Sequence, residues 1–106
     1  MKSEKHRDWI RGLPCIICAR VGSIECAHVR YSDARVAKKN SGIGAKPSEA
    51  FCLPMCNTHH RAQHAMGNER KFWEGVKLDP VLLSLALYHV SGDYEAGCEI
   101  IAAAQQ

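Results

Sequence analysis

Two pairs of metal-type donors at matched spacing constrain this chain more than any other feature. Cys15-Ile16-Ile17-Cys18 sets two thiols one tight turn apart, and Cys56-Asn57-Thr58-His59 repeats the spacing with an imidazole as the fourth donor. Such pairs suit the tetrahedral preference of Zn²⁺, which takes Cys and His ligands in closed structural sites. One Cys₃His zinc site, built from Cys15, Cys18, Cys56 and His59, is therefore expected to close the fold. At 106 residues the chain fits one domain, and a domain of that size buries only a modest share of its surface, so a metal staple supplies stability that the core lacks. The stretch between the pairs is far longer than the roughly twelve residues between ligand pairs of a DNA-reading zinc finger. The zinc therefore reads as scaffolding.

The chain holds six cysteines and six histidines. Its opening, Met1-Lys2-Ser3-Glu4-Lys5, is charged, and no apolar secretory core follows it. A reducing cytoplasm is the expected compartment, where closely spaced cysteines hold metal more often than they form disulfides. No membrane association is expected. Cys26 and Cys52 stand in strand-like runs without a partner at knuckle spacing, and Cys98 falls in the last helical segment; all three read as core cysteines.

A net charge of +3, from 14 basic and 11 acidic residues, argues only weakly for a nucleic-acid partner. Its distribution says more. Arg30, Arg35, Lys38, Lys39 and Lys46 stand against a single acid, Asp33, whereas residues 79–106 contain no Lys or Arg.

The element pattern is α+β. Residues 1–12 suit a short amphipathic helix carrying Trp9 and Ile10, broken by Gly12-Leu13-Pro14. Residues 24–29 and 50–54 suit short strands, and the glycine-containing, cation-rich stretch between them reads as a loop. Residues 57–66 suit a helix that Gly67 ends in the left-handed conformation, and residues 68–76 add a further helical turn or two. Asp79-Pro80 provides an N-cap with proline at the first helical position ahead of a leucine-rich helix that Ser91-Gly92-Asp93 closes. In the last helix Ala96, Ile100, Ile101 and Ala104 can share a face. Residues 79–106 thus form a helical buttress to a core at 13–75, against which Phe72, Trp73, Val76 and Leu78 are expected to pack.

His60 and His64 are four residues apart, so on a helix both imidazoles project from one face and can share a cation, while His59 points elsewhere. Two nitrogen donors leave coordination positions open, as a hydrolytic centre requires. Mg²⁺, Mn²⁺, Ni²⁺ or Zn²⁺ could fill such a site, since imidazole ligands do not decide among them.

With these residues assembled, the chain resembles the HNH nuclease family, and particularly its short phage and prophage members that look like phage recombination-enhancement nucleases. The likeness runs over about residues 13–75: the Pro14–Cys18 knuckle, the strand Ala27-His28-Val29-Arg30, the glycine-rich loop from Gly42 to Pro47, the run from Pro54 to His64, and Gly67 with Phe72-Trp73. The resemblance implies a zinc-stapled ββα-metal core flanked by N- and C-terminal helices. It implies a metal-dependent DNA endonuclease with His28 as general base and His60 and His64 as ligands of the catalytic cation. Glu49, near the position of the family's middle Asn, would orient His28 or reach the metal. Many members carry a further metal ligand where this chain has Ala27, which leaves a third protein ligand open. Arg30, Arg35, Lys38, Lys39, Lys46 and Arg61 would grip the sugar-phosphate backbone, fixing register without reading bases.

Two rival readings share the zinc knuckles. One is a non-catalytic zinc module that binds nucleic acid or a protein partner; the other is a prophage protein that cuts only when bound to a recombinase filament.

Overall fold

A computed structural model describes residues 2–36 and 48–106. Helix α1 spans Lys2–Arg11 and buries His6 and Ile10, with Trp9 packed against the same core. The predicted break follows it: Gly12 and Leu13 donate their N–H groups to Trp9 and Ile10 at 3.1 and 3.0 Å. The first knuckle then folds back on itself, with Ala19 N–H on the Cys15 carbonyl and Cys15 N–H on the Arg20 carbonyl, both at 2.9 Å.

Strands β1 (Ile24–His28) and β2 (Cys52–Cys56) pair antiparallel with Ile24 opposite Cys56 and His28 opposite Cys52. Two bonds extend the pairing beyond its ends: Val29 N–H to Phe51 O at 2.7 Å and Asn57 N–H to Ser23 O at 3.1 Å. The apolar run expected as a strand over 50–54 begins instead as a 3-10 turn at Ser48–Phe51, and the strand lies two residues further on. Pairing with β1 decides where the strand runs, while Ala50 and Phe51 bury themselves against Val29 and Val81. Every residue of β2 is buried. Pro54 is tolerated there because a two-stranded sheet has only edge strands, and its carbonyl accepts the Ile16 N–H at 2.8 Å, tying the first knuckle to the sheet.

Helix α2 (Asn57–Met66) follows β2 without a loop. Its N-cap, Cys56, makes no side-chain capping bond; the sulfur faces His59 instead. Gly67, at φ 72°, closes the helix as predicted by donating to the His64 carbonyl, a left-handed turn that glycine adopts without steric cost. Three further helices each start on a side-chain cap, of which the sequence indicates the one at Asp79. Asn68 caps α3 (Glu69–Val76), Asp79 caps α4 (Pro80–His89) and Asp93 caps α5 (Tyr94–Ala104), each accepting a main-chain N–H at 3.1 Å.

The core joins α1, the first knuckle, both strands and the C-terminal helices through Ile10, Leu13, Ile16, Leu53, Met55, Phe72, Trp73, Leu87 and Ile101. Burying a side chain such as Phe72 contributes roughly 1.5–3 kcal/mol. Val76 and Leu78 pack onto this core as expected. Helix α5 reaches back to the first knuckle. A Cβ at its Gly97 would lie 2.9 Å from both Leu13 Cδ2 and Trp9 Cζ2, and Gln105 Nε2 donates to the carbonyls of Cys15 and Ile16 at 3.1 and 3.2 Å. The buttress therefore braces the knuckle. Among the described residues, no helix is long and apolar enough to cross a membrane.

Candidate metal centre and histidine cleft

The four donors expected from spacing converge. Cys15 and Cys18 come from the knuckle after α1, Cys56 ends β2 and His59 lies in the first turn of α2; their ligand atoms all fall within 4.8 Å of one another. His59 Nδ1 is 3.2 Å from Cys56 Sγ and 3.9 Å from Cys15 Sγ, and Cys18 Sγ is 3.9 Å from Cys56 Sγ. Zn–S bonds near 2.3 Å and Zn–N bonds near 2.0 Å at tetrahedral angles separate donors by roughly 3.5–3.8 Å, so the cluster needs only small adjustments to hold such an ion. The Ile17 N–H points at Cys15 Sγ from 3.4 Å. Burial opposes ionisation of Cys56, but hydrogen bonding from the His59 main chain and ring, and from Cys18 and Cys15, overcomes it and brings the thiol down to about 7. A low thiol pKa makes a thiolate available as a ligand. This group could hold a metal such as zinc.

His28, His60 and His64 line a single cleft of about 310 Å³ together with Cys26, Arg30 and Glu69. His28 ends β1, while His60 and His64 lie on α2 with ring centroids 4.6 Å apart and planes at 70°. The expected side-by-side placement of the i, i+4 pair is thus present, and His59, their neighbour in sequence, faces the other cluster. Burial lowers the proton affinity of His28, and the nearby Arg30 charge lowers it further; Glu49 acts in the opposite direction. His28 is consequently neutral near pH 7, the state a proton acceptor needs.

Two residues occupy positions that local sequence did not indicate. Glu25 Oε1 lies 2.7 Å from His60 Nδ1. Glu69, at the start of α3, accepts the main-chain N–H of Arg30 through both carboxylate oxygens, at 3.2 and 3.3 Å. The only sequence signal for either is an acid at an exposed strand position or in a first helical turn, and both contacts depend on how the chain folds back.

The remaining expected site residues divide into several groups. Glu49 binds Arg7 of α1 at 3.1 Å, so its carboxylate is engaged by a cation and acts on His28 through its charge. Arg30 and Arg61 are exposed, Arg30 on the cleft wall and Arg61 on α2 beside His60. Arg35 instead bonds to Asp33 at 3.0 Å and to Asp79 at 2.9 Å; this pairing holds the Asp33 carboxyl below the usual carboxylate range, and at Asp79 burial opposes ionisation but Arg35 and the Leu82 N–H outweigh it. Its charge is met within the chain. Lys38, Lys39 and Lys46, and the loop from Gly42 to Pro47, lie outside the described residues. An unanticipated cation, Arg70, stacks over Tyr31 at 4.3 Å and donates to the Ser32 carbonyl.

Cys26 and Cys52 stay apart from the Cys₃His cluster, as the spacing indicated. Cys52 is buried and Cys26 half-buried, with their sulfurs 3.0 Å apart. Cys98 is half-buried against the core.

No protein-family model, curated protein or solved structure matches the chain.

Proposed function

We propose that this chain is a metal-dependent DNA endonuclease of the HNH type that hydrolyses phosphodiester bonds. The observation that carries the reading is the meeting of His28, from the end of β1, with His60 and His64, from α2, in one open cleft beside a Cys₃His cluster. The order strand, strand, helix in which these residues occur supports a ββα-metal core.

His60 and His64 would hold the divalent cation, one of Mg²⁺, Mn²⁺, Ni²⁺ or Zn²⁺. When bound, the cation supplies charge to offset what develops on the phosphate and the departing 3′ oxygen. His28 takes the proton of the attacking water. Its depressed proton affinity keeps the ring unprotonated at neutral pH, and main-chain hydrogen bonding at Cys26 helps fix its orientation. Glu49, held by Arg7, places a negative charge near enough to favour the imidazolium that forms when His28 accepts the proton. Arg30 and Arg61 are the cations on the described surface beside the cleft that would hold the DNA backbone. Backbone contacts of this kind weaken as salt rises and carry little sequence information.

The test is cleavage of supercoiled plasmid and of single-stranded circular DNA with Mg²⁺, Mn²⁺, Ni²⁺ or EDTA. Metal-dependent cleavage that vanishes in His28→Ala, with DNA binding retained, is expected. Cleavage only after adding a recombinase filament would identify a partner-dependent nuclease. No cleavage under any of these conditions would leave a zinc module without catalysis.

A further inference from the structure

Within β1, Ile24 and Ala27 are buried, whereas Glu25 is exposed. The register places Glu25 opposite Met55, the residue before the N-cap of α2. An acid at that strand position therefore lies at the foot of the helix whose first turns carry His60, and its Oε1 approaches His60 Nδ1 to 2.7 Å. The His60 side chain is 20 % exposed and that of Glu25 51 %.

An ionised carboxylate has no proton to offer, so the hydrogen bond requires the proton to be on Nδ1 of His60. A neutral His60 then keeps its lone pair on Nε2. The neighbouring ring of His64 stands edge-to-face with it on the same cleft.

We propose that Glu25 is the positioning residue of the histidine pair. It holds His60 in the Nδ1–H tautomer and fixes the ring so that Nε2 is offered to a divalent cation shared with His64. This inference rests on the metal-dependent reading of the cleft. A carboxylate on the far nitrogen of a ligating histidine orients the ring and raises its basicity, and its loss typically lowers metal affinity or activity about 10–100-fold.

The experiment uses the full chain with zinc in its Cys₃His site, and Ni²⁺ as the probe for the cleft. Calorimetric titration compares the wild type with Glu25→Ala and Glu25→Gln, and ¹⁵N NMR before Ni²⁺ addition reports the His60 tautomer. The wild type is expected to show the Nδ1–H form. Glu25→Ala is expected to lose that preference and to bind Ni²⁺ about 10–100-fold more weakly, with one zinc per chain and an unchanged far-UV spectrum. Glu25→Gln keeps an acceptor without the charge and should fall between them. Wild-type Ni²⁺ affinity in Glu25→Ala, or an Nε2–H tautomer in the wild type, would overturn the role of Glu25 alone. Failure of the wild type to bind Ni²⁺ at the cleft would instead remove the metal-dependent reading, and this inference with it.

Discussion

His59 and His60 are adjacent in sequence yet serve two different clusters. A helix turns about 100° per residue, so neighbours diverge while residues four apart converge. His59 joins Cys15, Cys18 and Cys56 in a group whose donors fall within 4.8 Å, with Cys15 and Cys56 buried, His59 half-buried and Cys18 exposed. His60 joins His64 and His28 along an open cleft in which His64 is exposed. Four converging donors suit a structural ion; on the function proposed above, the two nitrogens at the solvent-facing cleft would hold one with open positions. One strand-to-helix junction thus carries a Cys₃His cluster and a histidine cleft, and on the proposed function the two should respond oppositely to perturbation.

The largest effect should come from the Cys₃His cluster. Cys56→Ser, or strong chelation of the wild type, is expected to abolish cooperative unfolding in far- and near-UV circular dichroism, because a structural zinc site contributes folding free energy outright. A folded, zinc-free chain would break the comparison. His64→Ala tests the cleft: on the endonuclease reading proposed above, cleavage should fall by at least about 10²-fold, as for loss of a group that acts in the transition state. Its zinc content and unfolding midpoint should stay at wild-type values. Gly97→Ala sharpens the comparison from a distance, since its Cβ would press on Leu13 and Trp9 at 2.9 Å beside the first knuckle. Overpacking of this kind costs about 1–3 kcal/mol, read as a lowered midpoint in urea with little change in cleavage per folded molecule.

The smallest effect concerns pH. Burial lowers the proton affinity of His6 despite the opposing Glu49 charge. The ring's Nδ1 meets Ser91 Oγ at 2.7 Å and its buried Nε2 has no partner. Below pH 6.5, the ordinary histidine value, the unfolded chain binds more protons at this position than the folded one, so stability is complete above that pH and declines as pH falls through it. His28 shifts the same way and for the same first reason, burial. Urea midpoints across pH 5–8 should show that decline, and His6→Gln should lessen it. If His28 is the proposed base, the acid limb of cleavage should correspondingly lie below pH 6.5.

Much of the molecule is encoded in short spacings. The cap at Asp79 and the closing turn at Gly67 are legible because each acts within a few residues of itself, and the structure adds caps of the same local kind at Asn68 and Asp93. The two knuckles and the His60/His64 pair are legible for the same reason: turn and helix geometry fixes the relative directions of side chains three or four positions apart. What the sequence could not reveal is which charges meet across long separations. Arg35, which reads as a free cation, is claimed by Asp79; Glu49 is taken by Arg7; and Glu25 reaches His60 only because β1 pairs with β2 in one register. A strand slipped by one residue would turn Glu25 to the opposite face. The sequence by itself determined the helices and the donor pairs, while pairing with β1 set where the second strand runs. Tertiary structure decided which of those groups are paired and which face the cleft, because that depends on register and on the return of the C-terminal helices to the knuckle, neither of which any local window contains.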